Sequence, residues 1–326
     1  MLQYLVILLD DTSTSYCHYC NSRLERRLIS LDDLKAGIIF AMKENLTIQF
    51  VYPDYELPQT YKDAIRSIDH SDIVSSVCKD EALRSKADVL VCQDIDALQS
   101  NPFIEGAIYL LRITKAALFG RYSVLGEILR GVTRLNIAIT DVCDFTDEDF
   151  KTYQEVLAEL SDAVERCYKA GLLPQFNLLT DRIMLDKMNN CNAGVENITL
   201  APDGRFYVCP AFYLADEDED FGLGKSKFSI GSLEQGIDIR NQQLYRLDYA
   251  PLCRICDAYQ CKRCVWLNRR TTYEVNTPSH EQCVTAHLER NASRSLLYRF
   301  RNHGSFLPGK EIEEITYLDP FDIKEK

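Results

Sequence analysis

Cys253-Arg-Ile-Cys256-Asp-Ala-Tyr-Gln-Cys261-Lys-Arg-Cys264 packs four of the chain's thirteen cysteines into one run, with gaps of two, four and two residues. A single tetrahedral zinc usually takes two Cys-x-x-Cys knuckles separated by a longer loop, commonly about 12–20 residues. A four-residue connection leaves little chain to wrap four sulfurs around one small ion. Tight serial cysteines suit a cubane iron–sulfur cluster better; in two-cluster ferredoxins three cysteines of a similar run bind one cluster and the fourth binds the other. Outward from the run, Cys191 and Cys209 precede it and Cys283 follows, which supplies ligands for a pair of sites. Zinc binding, or packing of the thiols as small apolar side chains, is the alternative for the same seven positions.

The rest of the composition is ordinary and mainly excludes. At 326 residues the chain can bury one large core or two domains. A formal net charge of −12 offers no basic face for phosphates, so no nucleic-acid partner is expected. The apolar opening at residues 5–9 runs straight into Asp10-Asp11, too short for a membrane span or a secretory core. No membrane association and a cytoplasmic location follow as expectations. In a reducing compartment the cysteines are not expected to pair as disulfides, and their clustering points to metal.

Upstream of the cysteine-rich region, short apolar runs alternate with helical patterns. Residues 3–9 read as a buried strand, and 31–45 as a helix with Leu34, Ile38, Ala41 and Met42 on one face; Ser30 and Asp33 stand at capping spacing before it. Residues 47–51 read as a second strand, 59–68 as a second helix, and 72–77 and 88–92 as strands three and four. One long helical region is predicted over 104–129, interrupted at Gly120, then a fifth strand over 135–140. The next helix is the best defined: Thr146 caps it, Phe150, Tyr153, Val156, Leu157, Leu160 and Val164 form its stripe, and Gly171 can close it. Residues 175–179 read as a sixth strand. Six β-α units in series predict an α/β fold with a parallel sheet, open or curled into a partial barrel. After residue 186 helical periodicity fades and Gly, Pro, Asp and Cys become frequent. Residues 1–185 are therefore expected as one domain. Residues 186–326 form a second, loop-rich domain with a C-terminal helix and tail, stapled by metal. The acidic run at 216–220 reads as a solvated loop.

The spacing of the outer cysteines narrows this reading. Twelve residues separate Cys191 from Gly204, and four separate Gly204 from Cys209. Residues 198–209 read as a hairpin turning at Pro202-Asp203-Gly204. A cysteine, a glycine, four residues and a cysteine, then a Cys-rich run and a final cysteine, resemble the SPASM domain; the second and third gaps of the run are slightly narrower here than in the family. The resemblance implies that Cys253, Cys256, Cys261 and Cys283 bind one auxiliary [4Fe–4S] cluster. It implies that Cys191, Cys209 and Cys264 bind a second. The family often adds a further cysteine soon after the first, and residues 192–208 contain none. The second cluster is therefore expected to have an open iron, to take a non-Cys ligand, or not to form.

Directly after the first strand comes Asp10-Asp-Thr-Ser13-Thr-Ser-Tyr-Cys17-His-Tyr-Cys20. A loop at the C-terminal end of the first strand of an α/β barrel is where such folds place chemistry. Radical SAM enzymes carry Cys-x3-Cys-x2-Cys here, with an aromatic residue before the third cysteine. Cys17, Tyr19 and Cys20 match the second half of that motif, but Ser13 stands where its first cysteine belongs. The family's Gly-Gly-Glu-like segment after strand two, which holds the amine of S-adenosylmethionine (SAM), is Tyr52-Pro-Asp-Tyr-Glu56 here, without glycine. A serine hydroxyl stays protonated near neutral pH and suits iron–sulfur chemistry less well than thiolate. The motif Ser13, Cys17, Cys20 thus reads as a degenerate SAM-cluster site. Its alternatives are a weakly ligating Ser13 or completion by Cys78, Cys92 or Cys143. For those three and for Cys167 an inert buried thiol is the simpler role, and for His18 a surface-loop histidine.

Across the chain the arrangement resembles the Cys-X-X-X-repeat peptide maturases of bacteria, radical SAM/SPASM-like proteins associated with small ribosomally made, Cys-rich peptides (RiPP precursors). The segments that carry it are the Leu9-Asp-Asp-Thr-Ser13 opening, Phe50-Val-Tyr-Pro-Asp-Tyr-Glu-Leu-Pro58, Cys264-Val-Trp-Leu-Asn268 and Asn276-Thr-Pro-Ser-His-Glu-Gln-Cys283. The resemblance implies a partial (β/α)6 barrel followed by a SPASM-like domain, and a Cys-rich precursor peptide as partner. Three functions stay open on these residues. The chain is a cluster-bearing maturation factor without its own SAM-cleaving cluster, working beside an intact radical SAM enzyme; or an active enzyme that crosslinks a peptide despite Ser13; or a zinc-stabilised binding module.

Overall fold

Two capping side chains set the helices that frame the parallel strands. Ser30 Oγ accepts from the Asp33 N–H at 3.0 Å, and Thr146 with Asp149 forms a reciprocal capping box. In a computed structural model, which describes residues 1–21, 26–100, 102–214 and 228–313, the chain runs as follows. Strands β1 (Tyr4–Leu8), β2 (Thr47–Val51), β3 (His70–Ser75) and β4 (Val89–Cys92) alternate with helices α1 (Leu31–Glu44), α2 (Gln59–Ile65), α3 (Glu81–Arg84) and α4 (Ile95–Gln99). Next come β5 (Ile108–Ile113), α5 (Lys115–Ile128), β6 (Arg134–Ile139), α6 (Asp147–Lys169), β7 (Gln175–Phe176) and α7 (Thr180–Met184). The remainder carries β8 (Asn197–Leu200), β9 (Arg205–Tyr207), α8 (Ala211–Leu214), β10 (Ser229–Ser232), β11 (Gly236–Ile237), α9 (Val265–Thr272) and α10 (His280–Arg301).

Packing groups the chain into two units, Met1–Cys92 with Asn192–Tyr249, and Gln93–Cys191 with Ala250–Lys326. Each unit draws residues from both sides of position 186. In the first, β1 to β4 are parallel neighbours. Residues Leu5, Val6, Ile7 and Leu8 of β1 are all buried, as expected where a parallel sheet is covered on both faces. The predicted hairpin is present as β8 and β9, with Gly204 at φ +74° in its turn. It joins the same sheet, since β8 pairs in parallel with β1. In the second unit β5, β6 and β7 are parallel, and α10 lies on α6 with Tyr168 stacked on Phe300 at 4.1 Å.

Three expectations are corrected. Residues 104–129 are not one helix: Ile108–Ile113 is strand β5, and only Lys115–Ile128 is helical, with its kink at Arg121. A short apolar run bears no periodicity that separates a buried strand from a buried helix. Among the described residues, the parallel strands before residue 186 therefore number seven rather than six. The sixth predicted strand shortens to Gln175–Phe176. On α1, Met42 is 64% exposed, and the buried face is Leu34, Gly37, Ile38 and Ala41. Gly37 lies there in close contact with β8: a Cβ would sit 2.4 Å from Leu200 Cδ2, so a larger residue would force that side chain to shift. Helix α6 spans its predicted range, with Tyr153, Val156, Leu157, Leu160 and Val164 of the stripe buried, Phe150 only half-buried, and Gly171 at φ +78° past its end. The acidic run at 216–220 and the tail beyond residue 313 lie outside the described residues. Among the described residues no helix is long and apolar enough to cross a membrane.

Candidate metal centre

The Cys-rich run folds as a series of tight turns rather than as regular structure. Cys253 opens a 3-10 turn, Cys253–Ile255, closed by Cys256 N–H donating to Cys253 O at 3.1 Å. Cys264 occupies the cap position of α9, and Arg263 before it takes a left-handed conformation at φ +45°. Backbone amides orient two of the sulfurs: Ala258 N–H donates to Cys256 Sγ and Arg263 N–H to Cys261 Sγ, each at 3.4 Å. Ser279 caps α10, so Cys283 and His287, four residues apart, share one helix face. Gln260 Nε2 donates to Ala286 O at 2.7 Å and ties the run to that helix.

These turns bring Cys253, Cys256, Cys261 and Cys283 to the wall of one cavity of about 100 Å³, together with Arg263 and His287. Burial pushes the Cys253 thiol up to about 11 and the Cys261 thiol up to about 12, with Cys256 raised for the same reason. Arg263 opposes the rise at Cys253. Thiols held this high are protonated near neutral pH, so loading metal there must release protons. Four sulfur donors around one small cavity fit the chemistry of an iron–sulfur cluster. The residues that would hold it are the four assigned from the sequence. Among the described residues no three His, Cys, Asp or Glu side chains are gathered tightly enough to hold a single ion.

Around the cavity lies a charged layer that spacing did not reveal. Asp257 accepts from Arg290 Nη1 at 2.6 Å and faces Arg182 Nη2 at 3.5 Å; Arg182 also lies over the Tyr259 ring, 4.4 Å from its centroid. Arg182, Arg263 and Arg290 are all buried. His287 places Nε2 3.4 Å from Cys256 Sγ, while its buried Nδ1 has no hydrogen-bond partner. Desolvation, then Arg290, lowers His287 to about 4, which keeps the ring neutral. The Cys283-x3-His287 spacing was the one sequence signal that could have found it.

The second group of cysteines is divided between the units. Cys191 is tied to the run by its N–H to Lys262 O at 2.9 Å. Its thiol lies near that of Cys264, which burial pushes up to about 12 with Cys191 adding to the rise. Cys209 belongs to the other packing unit, on the turn before α8.

At the end of β1 the degenerate motif is built differently. Ser13 is 1% exposed; its hydroxyl donates to Val51 O at 2.9 Å and accepts from Asp10 N–H at 3.0 Å. Asp10 Oδ2 accepts from Tyr55 at 2.8 Å, and Asp11 Oδ1 from Tyr213 at 2.5 Å. Asn21 Nδ2 donates to Asp11 O and Ser13 O and pins the loop that carries Cys17 and Cys20. Cys17 is half-buried and Cys20 exposed. Cys78, Cys92 and Cys167 are buried, and burial pushes half-buried Cys143 up to about 11.

No protein-family profile matches the chain, and no curated protein matches it. Solved structures do. Native anSMEcpe with bound AdoMet and Cp18Cys peptide aligns over 93% of this chain and 100% of its own, with a TM-score of 0.59 and 12% identity. A histidine-tagged form of anSMEcpe with bound AdoMet aligns over 92% and 96%, with a TM-score of 0.62 and 11% identity. At such identity the likeness is one of fold. The chain has the mixed α/β fold of the radical SAM/SPASM type, as its cysteine spacing and alternating strands predict.

Proposed function

We propose that the chain is a cluster-bearing maturation factor of the radical SAM/SPASM type, acting on or binding a small, ribosomally made, Cys-rich precursor peptide without cleaving SAM itself. The observation that carries this reading is the cavity walled by Cys253, Cys256, Cys261 and Cys283. A bound [4Fe–4S] cluster would supply one-electron transfer or an iron for sulfur ligation there. Cys191, Cys209 and Cys264 are the candidate ligands of a second cluster. Residues 1–185 provide the barrel-like part and 186–326 the auxiliary part, in the cytoplasm, beside an intact radical SAM enzyme that supplies the radical chemistry. The peptide partner is supported by the peptide bound in the anSMEcpe structure.

The non-catalytic half of the reading is supported by Ser13. Its proton is given to Val51 O and its hydroxyl accepts from Asp10, so ligating iron would break buried hydrogen bonds at the end of β1. The active-enzyme alternative draws on the AdoMet bound by the structural neighbours. Anaerobic reconstitution followed by iron and sulfide analysis, then dithionite-driven SAM cleavage, decides between them. We expect iron and sulfide in the protein and no 5′-deoxyadenosine above background. Robust turnover that disappears in Cys17→Ala/Cys20→Ala would promote the enzyme; zinc without sulfide would leave a binding module. A Cys-rich peptide should perturb the cluster's EPR signal, and its Cys-to-Ser counterpart should not.

A further inference from the structure

We propose that Arg263 compensates the charge of the iron–sulfur group held by Cys253, Cys256, Cys261 and Cys283, and thereby sets its reduction potential. The proposal rests on the cluster reading of that cavity and assigns a role to a residue outside the ligand set. Arg263 is 1% exposed and lines the cavity with the four cysteines. It sits at φ +45°, a conformation that bulky L-residues rarely adopt, in the two-residue gap between Cys261 and Cys264. Its backbone N–H reaches Cys261 Sγ at 3.4 Å, and its Nε donates to Asn190 Oδ1 at 2.8 Å, which fixes the side chain from its far end.

The guanidinium charge faces Cys253 and Cys261 of the cavity and also Cys191 and Cys264 of the other cysteine group. Burying a cation is costly unless anions stand beside it, and a guanidinium cannot shed its charge near neutral pH. Thiolates wrapped around iron provide that anion. A fixed positive charge in a low-dielectric site favours the more negative, reduced form of a cluster, because adding an electron there is electrostatically easier. Arg263 therefore raises the potential at which the cavity's cluster accepts one electron. The same charge also acts on Cys191 and Cys264.

The test uses the full chain, reconstituted anaerobically, as wild type, Arg263→Lys and Arg263→Gln. Iron and sulfide per chain are measured first, and the cluster is then titrated with dithionite against a set potential and followed by EPR. With iron content unchanged, Arg263→Gln should lower the reduced-to-oxidised ratio at fixed potential on the order of tenfold, which is about 59 mV for a one-electron couple. Arg263→Lys keeps the charge but not the planar fork, and should stay near wild type. Loss of iron in Gln but not in Lys would also support charge compensation. An unchanged potential in iron-replete Arg263→Gln, or equal loss of iron in both variants, would reduce Arg263 to a clamp on Asn190 and overturn the proposal. Absence of iron and sulfide from the wild type would instead refute the cluster reading on which it rests.

Discussion

Replacing Ser13 by alanine separates a ligand from a structural clamp. The hydroxyl makes two buried hydrogen bonds, and they are not equally costly to lose. Val51 O also accepts from Leu9 N–H at 3.2 Å, so it keeps a partner when the hydroxyl goes. The Asp10 N–H has Ser13 Oγ as its acceptor at 3.0 Å and is buried with its residue. Stranding one buried donor costs about 1–3 kcal/mol. The expected result for Ser13→Ala is a loss of that size, read as a lower midpoint in urea unfolding under anaerobic conditions, with iron and sulfide content equal to wild type. A ligand would behave in the opposite way. Loss of a cluster's worth of iron with an unmoved unfolding midpoint would refute the clamp and with it the degenerate-site reading. Ser13→Cys is the complementary variant: it restores the third thiolate, yet Tyr52–Glu56 still lacks the glycines that let a backbone approach the SAM amine.

Other expected outcomes follow from the second packing unit. Asp257→Asn leaves the side chains of Arg290 and Arg182, 0% and 5% exposed, without their shared carboxylate, and should cost about 3–5 kcal/mol, seen as a lowered melting temperature; an unshifted melt would show the pair to be compensated elsewhere. Glu289 accepts from Tyr153 at 2.8 Å, and desolvation pushes its carboxyl up to about 7. The folded chain thus keeps a proton that the unfolded chain releases near about 4.3. This contribution to stability is complete below that pH and is lost as pH rises through about 7, and Glu289→Gln should flatten the slope in a pH series of unfolding midpoints. Cys256→Ala or Cys261→Ala should lose iron and leave residues 186–290 protease-sensitive; full iron and unaltered resistance in either variant would contradict the ligand assignment.

Local chemistry was legible in the sequence wherever neighbours along the chain decide the outcome. Ser30 and Thr146 cap the helices they precede, Pro202-Asp203-Gly204 turns the hairpin, and the stripe of α6 is buried as its period requires. The closeness of Cys253, Cys256 and Cys261 was legible too, because tight turns over so short a run keep them together; Cys283 reaches the same cavity wall from a helix that its own cap defines. What the sequence could not determine depends on partners distant along the chain. Strand β5 is a strand because β6 pairs with it, a fact no apolar run of six residues records. Gly37 rather than Met42 lies on the buried face of α1, where Leu200, far along the chain, comes within a Cβ's reach. Ser13 read as a missing cysteine or a weak ligand in the sequence, and only the fold shows Val51 O and Asp10 N–H using its hydroxyl. Arg263 and His287 drew no reading from the sequence. Burial beside the cysteines makes them part of the site, and burial is a property of the packed chain, set by which distant segments exclude water from a side chain.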